Sequence, residues 1–182
     1  MVAVSRPAAS AAVLDRGRLE MMPGGDRESP RFVYHAARQL QLEPAERLIR
    51  QASERSSAKA KAALKAVVEE LASREYEVVA AGIVAGNRPL TAPLEEVLGS
   101  HSLVHAAEGE LFRGAIRSAV QALGIPVTDV RAKELHARAA ATLGVTDAKV
   151  VQTLAEIGRV SGRPWAKDHK DACLAALIAL LA

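Results

Sequence analysis

Two acidic residues stand three positions apart near the end of the chain, in the segment "KDHKDACLAALIALLA", residues 167–182. One interpretation of Asp168 and Asp171 is a helix cap, because an Asp followed by an acid three residues later resembles a capping box and meets the positive end of the helix dipole. The other interpretation is a metal site, because carboxylates fixed at a helix start hold a divalent cation in a defined geometry. The two roles are compatible, and we expect both.

Another carboxylate, Glu108, lies on the apolar face of the helix predicted over 101–123. A carboxylate there costs desolvation free energy unless it is protonated, hydrogen-bonded or bound to a cation. His101 and His105 share this face, so the pattern "HxxxHxxE" allows a His/His/Glu metal set, although no matching short motif occurs elsewhere in the chain. The alternative is that this end of the helix face has already left the core, with Glu108 paired to a nearby Arg.

Positive charge is concentrated in residues 31–65, which carry eight Lys/Arg against three Glu, a net charge of +5, whereas the formal charge of the whole chain is +3. Any contact with a polyanion is therefore expected on or near this segment. The alternative is an ordinary solvated helix face. The candidate phosphate-binding residues are Arg47, Arg50, Arg55, Lys59, Lys61 and Lys65.

Length and composition indicate one globular domain, because the chain has 182 residues, of which 49% are apolar and 25% charged. Aromatic residues make up 3%, so few side chains could stack on single-stranded bases. A lone cysteine, Cys173, excludes an internal disulfide and a multi-cysteine zinc site, and inert packing is expected for it. No apolar run reaches the roughly 20 residues that span a bilayer, and no signal peptide is visible, which predicts a cytoplasmic protein without membrane contact.

The elements that must position these residues begin with short strands. The segments "MVAVS", "AAVL" and "RLEMM" predict three strands, with a turn at "RPAAS" and a hairpin turn at Gly17. Further on, the apolar run "YEVVAAGIVAG" predicts a buried central strand, and "IPVTDV" predicts another.

Apolar residues at intervals of three and four predict the helices. These are 45–52 and 60–71, which the serines near 53–57 join or divide, then 101–123, 131–144 and 146–158. Gly144 ends one of these helices and Thr146 caps the next. Strands followed by alternating helices and strands predict an α/β domain with a mixed sheet.

This order of elements resembles the RuvC-type Holliday junction resolvases of the RNase H-like superfamily. "VAVSRPAASAAVLDRGRLE" resembles the family's opening, where a strand ends in Asp-Pro-Gly, and "AALKAVVEELASREYEVVAAG" resembles its helix and a fourth strand ending in Glu. "AIRSAVQALGIPVTDVRAKEL" resembles the following helix and strand, and "DHKDACLAALIAL" resembles the final Asp-x-x-Asp-Ala helix. The resemblance implies a single RNase H-like domain over 1–182, with a mixed five-stranded sheet flanked by helices and an insertion around 24–44.

The resemblance also implies a degenerate metal site. Asp168 and Asp171 match the family's final acidic pair, but Ser5 occupies the place of the first-strand Asp and Gly82 that of the fourth-strand Glu. Two-metal hydrolysis needs carboxylates that converge from separate elements to hold cations about 4 Å apart. Two of the family's four ligands are missing, so we expect absent or weak catalysis, with Mg²⁺ bound weakly by the Asp pair or not at all.

The leading functional hypothesis is therefore a homodimeric, RuvC-like protein that binds DNA or another nucleic acid and has lost resolvase catalysis. An alternative is an active Mg²⁺-dependent, structure-specific endonuclease, in which Glu108 joins Asp168 and Asp171 as a replacement catalytic carboxylate. A third hypothesis is a protein-interaction scaffold that binds no nucleic acid. Whether the protein is an enzyme stays open on the sequence alone.

Overall fold

A computed structural model describes residues 1–5, 12–21, 30–87 and 89–182, and most of these residues are helical. The strands are β1 (Val2–Val4), β2 (Val13–Arg16), β3 (Ala81–Ala85) and β4 (Val127–Arg131). The helices are α1 (Val33–Ala37), α2 (Leu42–Ser73), α3 (Leu94–Gly99), α4 (His101–Ala122), α5 (Leu135–Leu143), α6 (Asp147–Ser161) and α7 (Lys167–Leu181), and a 3₁₀ turn over Ala132–Glu134 precedes α5. Within these ranges no helix is both long and apolar enough to cross a membrane.

The strands form two separate two-stranded sheets. β1 and β2 are antiparallel, with Val2 opposite Arg16, and β3 and β4 are parallel, with Gly82 opposite Thr128. The predicted RNase H-like fold with a five-stranded mixed sheet is therefore wrong, because the described part of the chain has four short strands that are not joined into one sheet.

The predicted five-stranded sheet does not form because an apolar segment becomes a strand only where a neighbouring backbone pairs with it. Residues 18–21 of the predicted third strand are irregular, and Met22 lies outside the described residues. In the apolar run at 76–86 only Ala81–Ala85 form a strand, and Val79 is 51% exposed. The predicted turn at 6–10 also lies outside the described residues, and Gly17 follows β2.

The helix predictions agree better with the structure, because their signals are local. α5 ends at Gly144, which has φ of 65° in the left-handed region that glycine adopts readily. Thr146 caps α6, its Oγ1 accepting a hydrogen bond from the backbone N–H of Lys149 at 3.3 Å. The serines near 53–57 do not divide α2, which runs unbroken for 32 residues with Ser56 buried inside.

Internal contacts group the chain into two compact units. The sheet unit comprises Met1–Arg18, Val68–Asn87 and Gly124–Ala182, and the helical unit comprises Leu19–Val67 and Arg88–Leu123. All four strands belong to the sheet unit, and α1, α3, α4 and most of α2 belong to the helical unit.

In the sheet unit, α7 packs against β1, β3, β4 and α5. Its buried residues, among them Leu174, Leu177 and Ile178, share one apolar cluster with Val130 of β4. The backbones of α7 and β3 meet at Gly82, where an added Cβ would lie 2.0 Å from the carbonyl oxygen of Ala175. Only glycine permits this approach, so residue 82 positions the final helix.

In the helical unit, α4 packs against α1 and α3. One apolar cluster joins Val33 of α1, Ala52 of α2 and Leu111 of α4. A second cluster joins Ala60 of α2 to Ala115 on α4. The apolar face predicted for α4 is therefore buried at Val104, Leu111, Ala115 and Ala119, whereas Ala122 in its last turn is exposed. The first turns of α4 lie beside α1.

Candidate metal centre

Glu108 of α4 binds the first turn of α1. Its Oε1 accepts hydrogen bonds from the backbone N–H groups of Tyr34, at 2.7 Å, and His35, at 3.1 Å. α1 has no side-chain cap of its own, and the first N–H groups of a helix lack partners within the helix and carry partial positive charge. These contacts explain why a carboxylate is tolerated with 8% of the residue exposed, and they contradict the alternative of pairing with an Arg outside the core.

The same carboxylate orients the imidazole of His35. Oε1 of Glu108 lies 3.2 Å from Nδ1 of His35. A neutral imidazole that donates Nδ1–H to a carboxylate keeps its lone pair on Nε2, which is the arrangement of metal-binding histidines. Burial and the charge of Glu108 together raise the pKa of Tyr34.

His101 and His105 reach the same place from the first two turns of α4. Their Nε2 atoms are 3.1 Å apart, and the ring centroids of His35 and His105 are 4.7 Å apart. One potential ligand atom from each of the three histidines lies within 4.8 Å of the other two. We call His35, His101 and His105 the histidine cluster.

The spacing is close to what a bound metal ion requires. Zinc binds imidazole nitrogen at about 2.0–2.1 Å, so tetrahedral ligands lie roughly 3.3 Å from one another. The Nε2 atoms of His101 and His105 already have about this separation, which is also that of a hydrogen bond between them, and a ligand atom of His35 lies within 4.8 Å of both. Edge-to-face ring contacts alone would also cluster imidazoles, but they would not require a carboxylate on His35.

Asp168 and Asp171 lie in the sheet unit, at the start of α7. The prediction that Asp168 is the N-cap is wrong, because α7 begins at Lys167 and Ala166 occupies the cap position. Asp168 is exposed in the first turn, where the helix dipole still favours an acid. Asp171 lies one turn further and forms a hydrogen-bonded ion pair with Lys167. This hydrogen bond raises the pKa of the Lys167 ammonium.

Gly82 has no room for a ligand side chain, and Ser5 is hydrogen-bonded to Ala12. Position 82 faces the backbone of Ala175, which is two helical turns, or roughly 10 Å, along α7 from Asp168. The amino group of Met1, whose pKa burial lowers, also experiences the charge of Asp168. Asp168 is thus near the start of β1, whereas Ser5 follows its end and binds Ala12 through backbone and side chain.

Glu108 and Asp171 each have a partner within their own unit. Glu108 contacts α1 in the helical unit, whereas Asp171 contacts Lys167 in the sheet unit. Among the described residues, the group with metal-binding potential is the histidine cluster. The endonuclease hypothesis, in which all three carboxylates act together, stays an untested prediction.

The predicted phosphate-binding residues all lie on the exposed side of α2, within the helical unit. Arg47 forms an ion pair with Glu43 one turn earlier, and Arg55 and Lys65 also have interactions within the protein. Glu46 and Glu54 are exposed on the same helix. The surface of α2 therefore exposes both basic and acidic side chains, with the basic ones in excess.

His35 is the functional candidate that sequence reasoning missed. It lies in the segment interpreted as an insertion, 66 positions before His101, and no spacing rule connects the two. The sequence feature that could have pointed to His35 was Glu108, because a carboxylate on an apolar helix face needs a partner, and the sequence did not identify that partner.

Comparison of the chain with protein-family models, with curated proteins and with solved structures gives no match. The resemblance to RuvC-type resolvases stays a prediction, without the five-stranded sheet that it implied.

Proposed function

We propose that the helical unit binds a divalent transition-metal ion through the histidine cluster. The observation that carries the proposal is the convergence of three imidazoles within 4.8 Å, one of which is oriented by a buried carboxylate. Imidazole nitrogen suits Zn²⁺, Cu²⁺, Ni²⁺ and Fe²⁺, whereas Mg²⁺ prefers oxygen ligands. Zn²⁺ is the first candidate, since it imposes the weakest geometric preference of its own.

The second carboxylate oxygen of Glu108 supports the proposal. Oε2 is buried and has no hydrogen-bond partner among the residues that the structure describes, which in a native protein requires an explanation such as a nearby ion. A cation held by His35 would stabilise the negative charge of this buried carboxylate through the imidazole that Oε1 contacts. The carboxylate would in turn strengthen His35 as a ligand, an effect worth 10- to 100-fold in metal affinity in other sites.

Metal binding would also stabilise the fold of the helical unit. α1 has five residues, too few to be stable without tertiary contacts, and His35 on it would be joined through the ion to two residues of α4. The proposed role of the histidine cluster is therefore both to bind a metal ion and to attach α1 to α4.

The test is calorimetric titration of chelator-treated protein with Zn²⁺, for the wild type and two variants. The proposal expects one ion per chain for the wild type, and loss of binding by at least 100-fold for His105→Ala. His136→Ala is the matched control, because His136 is exposed on α5 in the sheet unit and should bind Zn²⁺ like the wild type. Absence of wild-type binding, or equal affinity in all three proteins, would contradict the proposal.

We propose nucleic-acid binding by α2 as a second function, on a separate observation. Six basic side chains are exposed on this single helix, and phosphate contacts by Lys and Arg make affinity fall steeply with salt. The exposed glutamates between them reduce the positive field, so binding should be detectable near 50 mM salt and weak near 200 mM. The predicted homodimer and cytoplasmic location accompany this hypothesis and stay predictions.

An electrophoretic shift with duplex and branched DNA tests this second proposal. The double variant Lys59→Ala, Lys61→Ala should weaken the shift, and Arg159→Ala, an exposed residue on α6, should not. An unshifted wild type at about 50 mM salt would contradict nucleic-acid binding without affecting the metal proposal.

A further inference from the structure

We infer that the metal ion held by the histidine cluster keeps one coordination position open to solvent and binds a small anion there. This inference rests on the proposed metal site and specifies what that site would take as a ligand. Three features of the helical unit carry it: the number of available ligands, their exposure, and their charge.

The histidine cluster offers three ligand atoms, one fewer than a tetrahedral ion requires. Glu108 is the nearest candidate for a fourth, but it is not among the residues whose ligand atoms lie within 4.8 Å of one another, and its Oε1 already accepts bonds from two backbone N–H groups and from His35. Rotating it onto the ion would leave those N–H groups without an acceptor. Within the described residues no further His, Cys or carboxylate joins the group.

The ligands lie at the protein surface. His101 and His105 are exposed, and the side chain of His35 is 34% exposed. An ion bound between them would face water on the side away from Glu108. Structural zinc sites are closed by four protein ligands, whereas sites with three protein ligands keep a water or an exchangeable ligand in the fourth position.

Charge favours an anion in that position. Three neutral imidazoles leave the charge of a divalent ion unchanged, and the Glu108 carboxylate, 3.2 Å from Nδ1 of His35, supplies one negative charge. The ion and this carboxylate together retain a net charge of about +1. A small anion such as azide, a carboxylate or phosphate would neutralise it and displace the bound water.

Cobalt-loaded protein with azide as the probe provides the test, because Co²⁺ occupies zinc sites and its visible absorption bands report coordination. We expect bands on addition of Co²⁺, and a saturable change in those bands on titration with azide. Cobalt bands that azide leaves unchanged would overturn the inference while the proposed metal function stands. No bands at all would overturn both.

A charge-removing variant examines the electrostatic argument. Glu108→Gln keeps an oxygen acceptor for the α1 N–H groups but removes the negative charge, so azide should bind the cobalt-saturated variant about tenfold more tightly. Glu110→Gln is the matched control, because Glu110 is on the same helix and pairs with Arg113 and Arg117. Equal azide affinity in Glu108→Gln and Glu110→Gln would contradict the charge argument. Should Glu108→Gln not fold, the wild-type azide titration still decides the inference.

Discussion

The carboxylate of Glu108 on α4 lies 3.2 Å from Nδ1 of His35 on α1, although the two residues are 73 positions apart in the chain. The same oxygen accepts the two backbone hydrogen bonds that begin α1. One buried acid therefore joins two helices and selects the imidazole nitrogen that remains free for a metal ion. This relationship links the stability of the helical unit to its proposed metal site.

Removing this acid should destabilise the protein. Glu108→Ala leaves two backbone N–H groups and one imidazole without their acceptor, so we expect the free energy of unfolding to fall by about 2–4 kcal/mol. Glu108→Gln should cost less, about 1–2 kcal/mol, because its amide oxygen still accepts. Urea denaturation measures both. Glu110→Ala is the control, since its partly exposed ion pairs should contribute less than about 1 kcal/mol, and a Glu108→Ala effect no larger than this would contradict the assignment.

Zinc should raise the thermal stability through the histidine cluster. At a free Zn²⁺ concentration 100 times the dissociation constant, binding adds about 2.7 kcal/mol to the free energy of unfolding. A chelator should reverse the increase in Tm, and His101→Ala should abolish it. Differential scanning calorimetry of His136→Ala should give the same increase as the wild type, and an increase that survives His101→Ala would place the ion elsewhere.

Gly82 should tolerate no side chain. Gly82→Ala would put a Cβ 2.0 Å from the carbonyl oxygen of Ala175, so α7 must move away from β3, at a cost of about 3 kcal/mol or more. Gly114→Ala gives the opposite expectation, because nothing lies within 4 Å of the added Cβ and alanine favours a helix over glycine by up to about 1 kcal/mol. Denaturation curves of the two variants should therefore shift in opposite directions, and a Gly82→Ala protein as stable as the wild type would show that the close approach is not maintained.

Cys173 should be unreactive in the folded protein. Burial raises the pKa of its thiol from 9.0 to about 12, so the thiolate that attacks disulfide reagents is scarce at pH 8. A chromogenic thiol reagent should react only after unfolding in guanidinium. Rapid reaction of the native protein at pH 8 would show that α7 is not packed as described.

The same shift predicts a dependence of stability on alkaline pH. The folded pKa is above the unfolded value, so the contribution of Cys173 is complete below pH 9 and is lost as pH rises toward 12. Between pH 8.5 and 10.5 the free energy of unfolding should fall by about 2 kcal/mol from this thiol. Cys173→Ala should show a smaller fall, with Tyr34, whose pKa is also raised, responsible for part of the remainder. Equal slopes in the two proteins would contradict the burial of the thiol.

Sequence reasoning succeeded for features encoded by neighbouring residues. α4 and α6 were predicted from apolar periodicity, and the ends at Gly144 and Thr146 from the preferences of glycine and threonine. It also identified Glu108 as a residue that needed a partner. The Asp168 cap was predicted wrongly because several residues near a helix start satisfy the same pattern, and the choice among them depends on where the chain turns.

The pairing of the strands and the role of His35 could not be predicted from neighbouring residues. An apolar run such as 76–86 is compatible with a paired strand or with a connection, and the presence of a neighbouring backbone decides between them. His35 carries no local mark of a ligand, because its role depends on Glu108 and His105, which the chain brings to it only after α1 packs on α4.

The amino-acid sequence by itself determined the extent of α4, the C-terminal end of α5 at Gly144 and the start of α6 at Thr146, and that one acid on α4 required compensation. Helix propensity, capping and desolvation act on residues within a few turns, whereas α1 and α3, which the sequence did not predict, are short helices. Only the tertiary structure decided that the strands form two small sheets and that Glu108 meets His35. Those outcomes depend on contacts between distant segments, whose free energies are set by packing and hydrogen-bond geometry in the folded protein and not by residue type alone.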